Sequence, residues 1–307
     1  MIPPADGPTD APARRSRSAL QRSLLLATVV ALLAGCGFPA GSAPPASSAP
    51  STSPPDERID HPTGPTDVVL RFEEGGGFVP PEFLATEAPI FTLYGDGTVI
   101  FRDPFATPPA GPGPGRGIPF RVARLSEEQV QELLRFALVE GGLGIARPRY
   151  DNPLVADAPT ATFEIHAGGL DKTVSVYALG LEGDDVPDRA ARRALARLAD
   201  RLRGFAQTEP TSEPYVPARY RATLLEHGPG VGGAPMRWPW PDLSPADFRA
   251  PADPSAPSLP RRVLSAEEAA ALGLEAIEGG VLGVVLEGPD GKLYSLSLRP
   301  LLPDEDA

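Results

Sequence analysis

Residues 90–102 read IFTLYGDGTVIFR, in which Gly95-Asp96-Gly97 separates two runs of β-branched and aromatic residues. An Asp-Gly pair between such runs supplies the positive φ angles that tight primed turns need, so this stretch predicts an antiparallel β-hairpin. Before the hairpin, Val68, Leu70 and Phe72 alternate with Val69 and Arg71, which predicts a strand. The same alternation on both sides of Gly168-Gly169, over residues 161–178, predicts a second hairpin with one buried face.

Two helices are predicted beside these hairpins. Ser126-Glu127-Glu128-Gln129 has the pattern of a capping box, and the apolar residues after it are spaced as on one helix face, which predicts a helix over about 127–140. A second apolar stripe predicts a helix over residues 187–205, with Asp184-Asp185 and Asp188 expected to cap it. Antiparallel hairpins with packed helices in this order predict an α+β fold.

The last third of the chain predicts further elements around a Pro-rich stretch. Residues 220–226 form a predicted strand, and residues 281–299 form a third hairpin. Nine prolines lie from Pro229 to Pro260, and because proline has no N–H donor they predict a long loop. A second capping box within residues 262–268 predicts a short helix.

The first 36 residues have the pattern of an export signal. A segment with four arginines precedes Leu24–Ala34, LLLATVVALLA, which carries no charge. Eleven helical residues span only about 16 Å, far less than the ~30 Å hydrocarbon core of a bilayer. The pattern therefore predicts a signal peptide and not a membrane-spanning anchor.

The end of this segment, Leu33-Ala34-Gly35-Cys36, resembles the lipobox of bacterial lipoproteins, and Cys36 is the only cysteine of the chain. The resemblance implies that a diacylglyceryl group is transferred to the Cys36 sulfur and that the chain is cut before Cys36. Two acyl chains suffice for stable anchoring, so we expect an extracytoplasmic protein that is lipid-anchored to the cell membrane. The alternative is a buried structural cysteine.

Four regions follow from these patterns. They are a signal peptide (1–35), the lipidated Cys36 with a disordered Pro- and Ser-rich linker (36–65), an α+β domain (66–206) and a smaller α+β domain with the Pro-rich loop (215–307). Whether the last two are one domain or two stays open. The stretches FTLYGDGTVIF and TVSVYALG also resemble uncharacterised secreted lipoproteins of GC-rich bacteria, a group that implies no particular activity.

Composition and motifs favour a protein without catalysis. The formal net charge of −12 and the two lysines disfavour nucleic acid as a partner. Of the three histidines, His61 lies in the predicted linker, and His166 and His227 lie on or beside predicted strands. We expect the side chains of His166 and His227 to be solvated at the surface, the alternative being a ligand or a base. No catalytic or metal-binding motif is present, so we expect no catalytic residue, no metal, no cofactor and no enzyme activity.

Three aromatic residues are the candidate binding residues. Trp238 and Trp240, both followed by proline, are the only tryptophans, and their spacing in an extended chain places them on one side. They are expected to pin the Pro-rich loop onto the core; the alternative is an aromatic platform for a sugar or a peptide. Phe78 follows Gly75-Gly76-Gly77 and is expected to plug the core. The alternative is that Phe78 lies at the tip of a mobile loop that closes over a ligand.

These observations favour a non-catalytic binding or interaction module whose partner is a cell-envelope protein or glycan. A structural or assembly factor of the cell envelope is the first alternative, and a carboxylate-dependent hydrolase is the second. A ligand pocket with buried polar groups would favour the binding module. A large exposed apolar patch would favour the assembly factor, and a pair of carboxylates with raised pKa in a cleft would favour the hydrolase.

Overall fold

The computed structural model describes residues 58–110, 113–181, 183, 185–208, 211–227, 234–250 and 259–305. These residues all belong to one compact unit. The predicted signal peptide, Cys36, the linker up to residue 57 and Asp184 lie outside the described residues.

The described residues form antiparallel strands and helices, and the fold is α+β as predicted. The strands are, in chain order, β1 (Val68–Gly75), β2 (Phe91–Tyr94), β3 (Thr98–Phe101), β4 (Gly115–Arg116), β5 (Arg121–Arg124), β6 (Arg149–Tyr150), β7 (Thr160–Ala167), β8 (Leu170–Tyr177), β9 (Glu213–Pro214), β10 (Arg219–His227), β11 (Met236–Arg237), β12 (Arg261–Ser265), β13 (Val281–Glu287) and β14 (Leu293–Pro300). The α-helices are α1 (Pro81–Thr86), α2 (Glu127–Arg135), α3 (Arg189–Arg203), α4 (Phe205–Thr208) and α5 (Ala266–Ala270).

The strands belong to two sheets. Among the described residues, the first sheet has the order β6-β8-β7-β1-β2-β3-β5-β9, and the second has the order β11-β13-β14-β10-β12, with β4 also paired to β13. Neighbouring strands are antiparallel except for the short pairs β6–β8 and β11–β13. The second sheet therefore contains β4, which comes from within residues 66–206, so strand pairing crosses the predicted boundary.

All three predicted hairpins are present, as β2–β3, β7–β8 and β13–β14. The first turn differs from the predicted primed turn, because only Gly97 has a positive φ, of 85°. The N–H of Gly97 donates to Tyr94 O at 3.0 Å, so the connection is a three-residue loop with one left-handed residue. In the second turn Gly168 and Gly169 are both left-handed.

The helices begin as their capping patterns predict, with one exception. Ser126 Oγ accepts from Gln129 N, and Gln129 Oε1 accepts from Ser126 N at 2.8 Å, which caps α2; a π-helical turn then extends it to Glu140. Asp188 precedes α3 but does not cap it with its side chain. Its φ of 58° is left-handed, and its carboxylate pairs with Arg147 instead, so the predicted Asp188 cap is wrong.

Each sheet buries its own apolar core. In the first, α2 and α3 pack on the sheet, where Phe72 stacks on its cross-strand partner Phe163 with ring centroids 4.9 Å apart, and Phe205 contacts Phe91 and Phe101 edge to face. In the second, α5 packs with the sheet on a cluster that includes Trp240 and Phe248. A smaller cluster links Phe120 to Leu302.

Residues 58–65 are packed onto the body, which corrects the predicted linker. The N–H of Ile59 donates to Gln131 Oε1 at 2.8 Å, and the Gln131 amide donates back to Ile59 O. The side chain of His61 is only 4% exposed and lies 3.3 Å from Glu127 Oε1. The chain is therefore packed on the body from Arg58 onward, before the predicted start of the domain at residue 66.

Candidate functional site

A groove on the second sheet is lined by the end of β10, the segment 238–247 and the turn between β13 and β14. It consists of two depressions of about 580 Å³ and about 510 Å³ that share Ser244 and Pro289. Glu226, Asp290 and Tyr294 line the first, and both tryptophans line the second. We call the two depressions together the aromatic groove.

Main-chain and indole hydrogen bonds place the two tryptophans. The N–H of Trp238 donates to Glu287 O at 3.2 Å, which continues the parallel pairing of β11 with β13. Trp238 Nε1 donates to Leu243 O at 2.8 Å, and Trp240 Nε1 donates to Glu268 O at 2.8 Å. Each indole thus ties segment 238–247 to a carbonyl, the first within the loop and the second at α5.

The rings of Trp238 and Trp240 lie on the same side of the extended chain, as their spacing predicts. Their centroids are 5.2 Å apart at an interplanar angle of 80°, and Trp238 also contacts Phe248 and Tyr294 edge to face. Trp240 is 6% exposed, which agrees with the anchoring interpretation, whereas Trp238 is half-buried. The two tryptophans can therefore both anchor the loop and line a groove. A binding role for either residue stays a prediction.

Tyr294 and Asp290 form one end of the groove. Tyr294 OH donates to Asp290 Oδ2 at 2.8 Å, and the Lys292 N–H donates to Asp290 Oδ1 at 3.2 Å. The hydrogen bond from Tyr294 is the main reason that the pKa of Asp290 is lowered, and loss of hydration followed by the same bond raises the pKa of Tyr294 to about 12. The side chain of Asp290 is therefore ionised at neutral pH and is held in position by two hydrogen bonds.

The carboxylates of Glu226 and Asp247 are also held in place by contacts within the protein. Lys292 Nζ lies 2.9 Å from Glu226 Oε1. Asp247 Oδ2 accepts from Ser244 N at 2.8 Å and from Ser244 Oγ at 2.9 Å, and these bonds lower the pKa of Asp247. The same pair caps a 3₁₀ turn, Pro245–Asp247, that presents Pro245 and Ala246 to the groove.

The charges of the lining are all of one sign. The carboxylates in the two depressions are those of Glu226, Asp242, Asp247, Glu287 and Asp290. No Lys, Arg or His is among the described residues that line the groove. Asp242 and Glu287 differ from the others, because their side chains form no hydrogen bond or ion pair within the described ranges. Their charges remain available to a ligand.

Phe78 lies elsewhere and does not plug the core. Its side chain is 90% exposed, so that prediction is wrong. Gly76 and Gly77 both have positive φ, and the N–H of Val79 donates to Gly77 O at 3.1 Å, which forms a tight turn with Phe78 at its centre. The turn directs the ring to solvent, and Phe78 does not line the aromatic groove.

A second, smaller cleft of about 160 Å³ is lined by glutamates of β1 and by Glu87. Loss of hydration raises the pKa of both Glu73 and Glu87, and the charge of Glu73 raises that of Glu87 further. Glu87 Oε1 accepts from Gly76 N at 2.7 Å, and Glu74 pairs with Arg203. Sequence patterns give no sign of this cleft, because Glu87 follows α1, a helix that periodicity does not reveal.

The histidines do not converge on either site. His166 lies between Glu164 at 2.8 Å and Asp171 at 3.1 Å on the first sheet and is 29% exposed, so it is partly buried and paired where a solvated histidine was expected. Within the described ranges, no three His, Cys, Asp or Glu residues are grouped as metal ligands would be. The helices of the described part include none long and apolar enough to cross a membrane.

Comparison of the chain with protein-family models, with curated proteins and with solved structures gave no significant match. The functional argument therefore rests on the groove itself. Sequence reasoning found its tryptophans but missed Tyr294 and the carboxylates around it. The sequence places Asp290 and Tyr294 in the third predicted hairpin, but it does not show that Tyr294 donates to Asp290 or that this hairpin, the end of β10 and segment 238–247 line one groove.

Proposed function

We propose that this chain is a lipid-anchored extracytoplasmic protein and that its folded part is a non-catalytic binding module with the aromatic groove as its ligand site. The membrane is then a partner through the lipid on Cys36, and a cell-envelope protein or glycan occupies the groove. The observation that carries the proposal is the groove, because each depression lies within the range of about 300–1,000 Å³ that is usual for ligand sites.

The groove is also preorganised, which supports a binding role. Side-chain hydrogen bonds hold Trp238, Tyr294 and Asp247 in place without a ligand. A site whose side chains are already ordered loses less conformational entropy when it binds. Leu, Pro, Ala and aromatic side chains form apolar walls, and five carboxylates supply polar groups that can orient a ligand.

A blocking substitution tests the proposal. Ala246 is exposed and lines the groove, so Ala246→Phe narrows it without removing a contact; Ala156→Phe, at an exposed loop position outside the groove, is the matched control. Because both tryptophans line the groove, intrinsic fluorescence reports binding there. We expect at least one of a soluble peptidoglycan fragment and synthetic acidic, neutral and basic peptides to change the fluorescence saturably, and Ala246→Phe alone to abolish the change. An unchanged response in Ala246→Phe, or no response to any probe, would contradict the proposal.

A carboxylate-dependent hydrolase is the second candidate, and the raised pKa values of Glu73 and Glu87 in one cleft favour it. Two observations make it weaker. The cleft of about 160 Å³ is below the usual size of a ligand site, and Glu87 already accepts a main-chain N–H. Turnover of chromogenic glycosides that is lost in Glu87→Gln would establish the hydrolase; we expect no turnover.

A further inference from the structure

We infer that the aromatic groove binds a polypeptide segment that carries lysine or arginine side chains, in preference to a neutral glycan or an anionic ligand. The inference rests on the proposed function and specifies its ligand. It follows from which polar atoms of the groove remain free after the chain has folded.

All side-chain hydrogen-bond donors of the described lining already have acceptors within the protein. The two indole N–H groups donate to Leu243 O and Glu268 O. The hydroxyls of Ser244 and Tyr294 donate to Asp247 and Asp290. The remaining lining side chains are Leu, Pro, Ala, Asp and Glu, none of which has a donor when the carboxylates are ionised.

The acceptors, in contrast, remain in excess. Asp242 and Glu287, at the tryptophan end of the groove, have no partner within the described ranges, and Asp290 and Asp247 have lone pairs left beyond the bonds that hold them. A ligand that supplies donors therefore matches the side chains of the described lining. Ammonium and guanidinium groups are donors only, and the surrounding carboxylates attract their charge.

A neutral glycan fits this set of groups less well. Each sugar hydroxyl both donates and accepts, and sugar sites normally offer side-chain donors as well as acceptors. Here the side chains offer a glycan no free donor, because Ser244 and Tyr294 already donate to Asp247 and Asp290, and displacing those internal bonds would lower affinity. An anion would meet carboxylates and no basic side chain in the described lining, so like-charge repulsion excludes it.

The apolar walls match the rest of a basic side chain. Leu224, Pro245 and Pro289 line the same depression as Glu226 and Asp290, and the methylene stem of lysine or arginine packs along such apolar surfaces while its charged end stays near polar atoms. Trp238 and Tyr294, whose ring centroids lie 6.2 Å apart, add aromatic surface that attracts cations. The hydrogen bonds from Ser244 and Tyr294 lower the pKa of Asp247 and Asp290, so both carry charge at neutral pH.

The test uses the full chain and defined probes of equal length. Capped peptides of alternating glycine with lysine, arginine, glutamine or glutamate are titrated against tryptophan fluorescence, beside an N-acetylglucosamine oligomer as the neutral glycan. We expect saturable changes with the lysine and arginine peptides and none with the glutamate peptide or the oligomer. Raising the salt concentration from about 0.01 M to about 0.1 M shortens the Debye length from about 30 Å to about 10 Å and should weaken binding.

Charge removal distinguishes the groove from general attraction to an acidic protein. Asp242→Asn with Glu287→Gln removes the two unpartnered carboxylates, and both residues are exposed, so the fold should persist. We expect this double variant to raise the dissociation constant of the lysine peptide about fivefold. Glu140→Gln with Glu275→Gln removes the same charge at exposed positions outside the groove, and we expect no change.

The outcomes separate this inference from the proposed function. Binding of the N-acetylglucosamine oligomer or the glutamine peptide but not of the basic peptides overturns the inference and leaves the groove as a binding site. Equal weakening in the two double variants also overturns it, because the attraction would then be general. No saturable response to any probe overturns both.

Discussion

Asp304 joins the C-terminal segment to the first sheet through one carboxylate, and its replacement should destabilise the protein strongly. Arg71 Nη2, from β1, donates to Oδ1 and Oδ2 at 2.8 Å, and Tyr94 OH, from β2, donates to Oδ1 at 2.6 Å. The side chains of Arg71 and Asp304 are only 14% and 15% exposed. Asp304→Ala therefore leaves a largely buried guanidinium and a phenol without their acceptor.

The size of the effect follows from these contacts. Removal of one partner of a buried ion pair costs about 3–5 kcal/mol. Arg71 keeps a bond to Thr92 Oγ1 at 3.2 Å and a more distant carboxylate, Glu164, at 3.8 Å, so we expect the lower end, about 3 kcal/mol. Tyr94→Phe removes one hydrogen bond to a charged group that retains Arg71, which should cost about 1.5 kcal/mol.

The double variant isolates the coupling between Asp304 and Tyr94. In Asp304→Ala the phenol loses its acceptor, so deleting the phenol as well costs little more. We expect the double variant to cost about 3 kcal/mol, well below the sum of the single variants.

Urea denaturation of the full chain, followed by circular dichroism, measures these differences. Asp171→Ala is the control, because Asp171 is 88% exposed and pairs with His166 at the surface, where an ion pair contributes about 0–1 kcal/mol. The reasoning would be refuted if Asp304→Ala unfolded at the same urea concentration as Asp171→Ala. That result would mean that solvent replaces the carboxylate at no net cost.

Three further predictions concern other parts of the chain. Cys36→Ser should remain an unprocessed precursor without radioactive fatty acid, and labelling equal to wild type would reject the lipid anchor. Trp240→Ala should lower the free energy of unfolding by about 3–5 kcal/mol and Trp238→Ala by less, because Trp240 is the more buried; urea curves that overlay wild type for both would contradict this. Burial raises the pKa of Tyr94, and it raises the pKa of Tyr215, Tyr220 and Tyr294 to about 12. An absorbance titration should therefore show that these tyrosines ionise at a higher pH than a solvated tyrosine. Because the pKa values of Tyr215, Tyr220 and Tyr294 are raised in the folded state, the stability that these residues contribute is complete below about pH 10 and is lost as the pH rises through about 12. Ionisation of all tyrosines near pH 10 in the folded protein would disagree.

Local patterns predict the hairpins and helix starts well, because each depends on residues close in sequence. Gly97 allows the left-handed conformation in its turn, and Ser126 finds its capping partner three residues later. Strand order is a different matter. The alternation of apolar residues indicates which face of a strand is buried but not which strand is its neighbour. It therefore does not predict that Phe72 pairs with Phe163 or that β10 lies between β12 and β14.

Predictions from composition are wrong where the burial of a few residues differs from what the surrounding sequence indicates. Ile59 and His61 lie in a stretch rich in proline and lacking apolar periodicity, which is typical of a linker. The main chain of Ile59 exchanges hydrogen bonds with Gln131, Asp60 O accepts from Gly168 N, and His61 is buried beside Glu127; such contacts leave no periodic signal. Phe78 shows the converse case, since an aromatic residue is exposed because the turn at Gly76-Gly77 directs it outward.

The chemistry of the aromatic groove could not be predicted from charge alone. A net charge of −12 is compatible with scattered surface carboxylates that select no ligand. We infer a preference because folding pairs the side-chain donors of this groove and leaves acceptors over: three of the donors bond within five residues, and the Trp240 indole bonds to Glu268, 28 residues away. Asp290 illustrates the step. The predicted hairpin over residues 281–299 contains Asp290, yet only the folded hairpin shows that the Tyr294 hydroxyl, four residues away, donates to it and so is no longer a free donor of the groove.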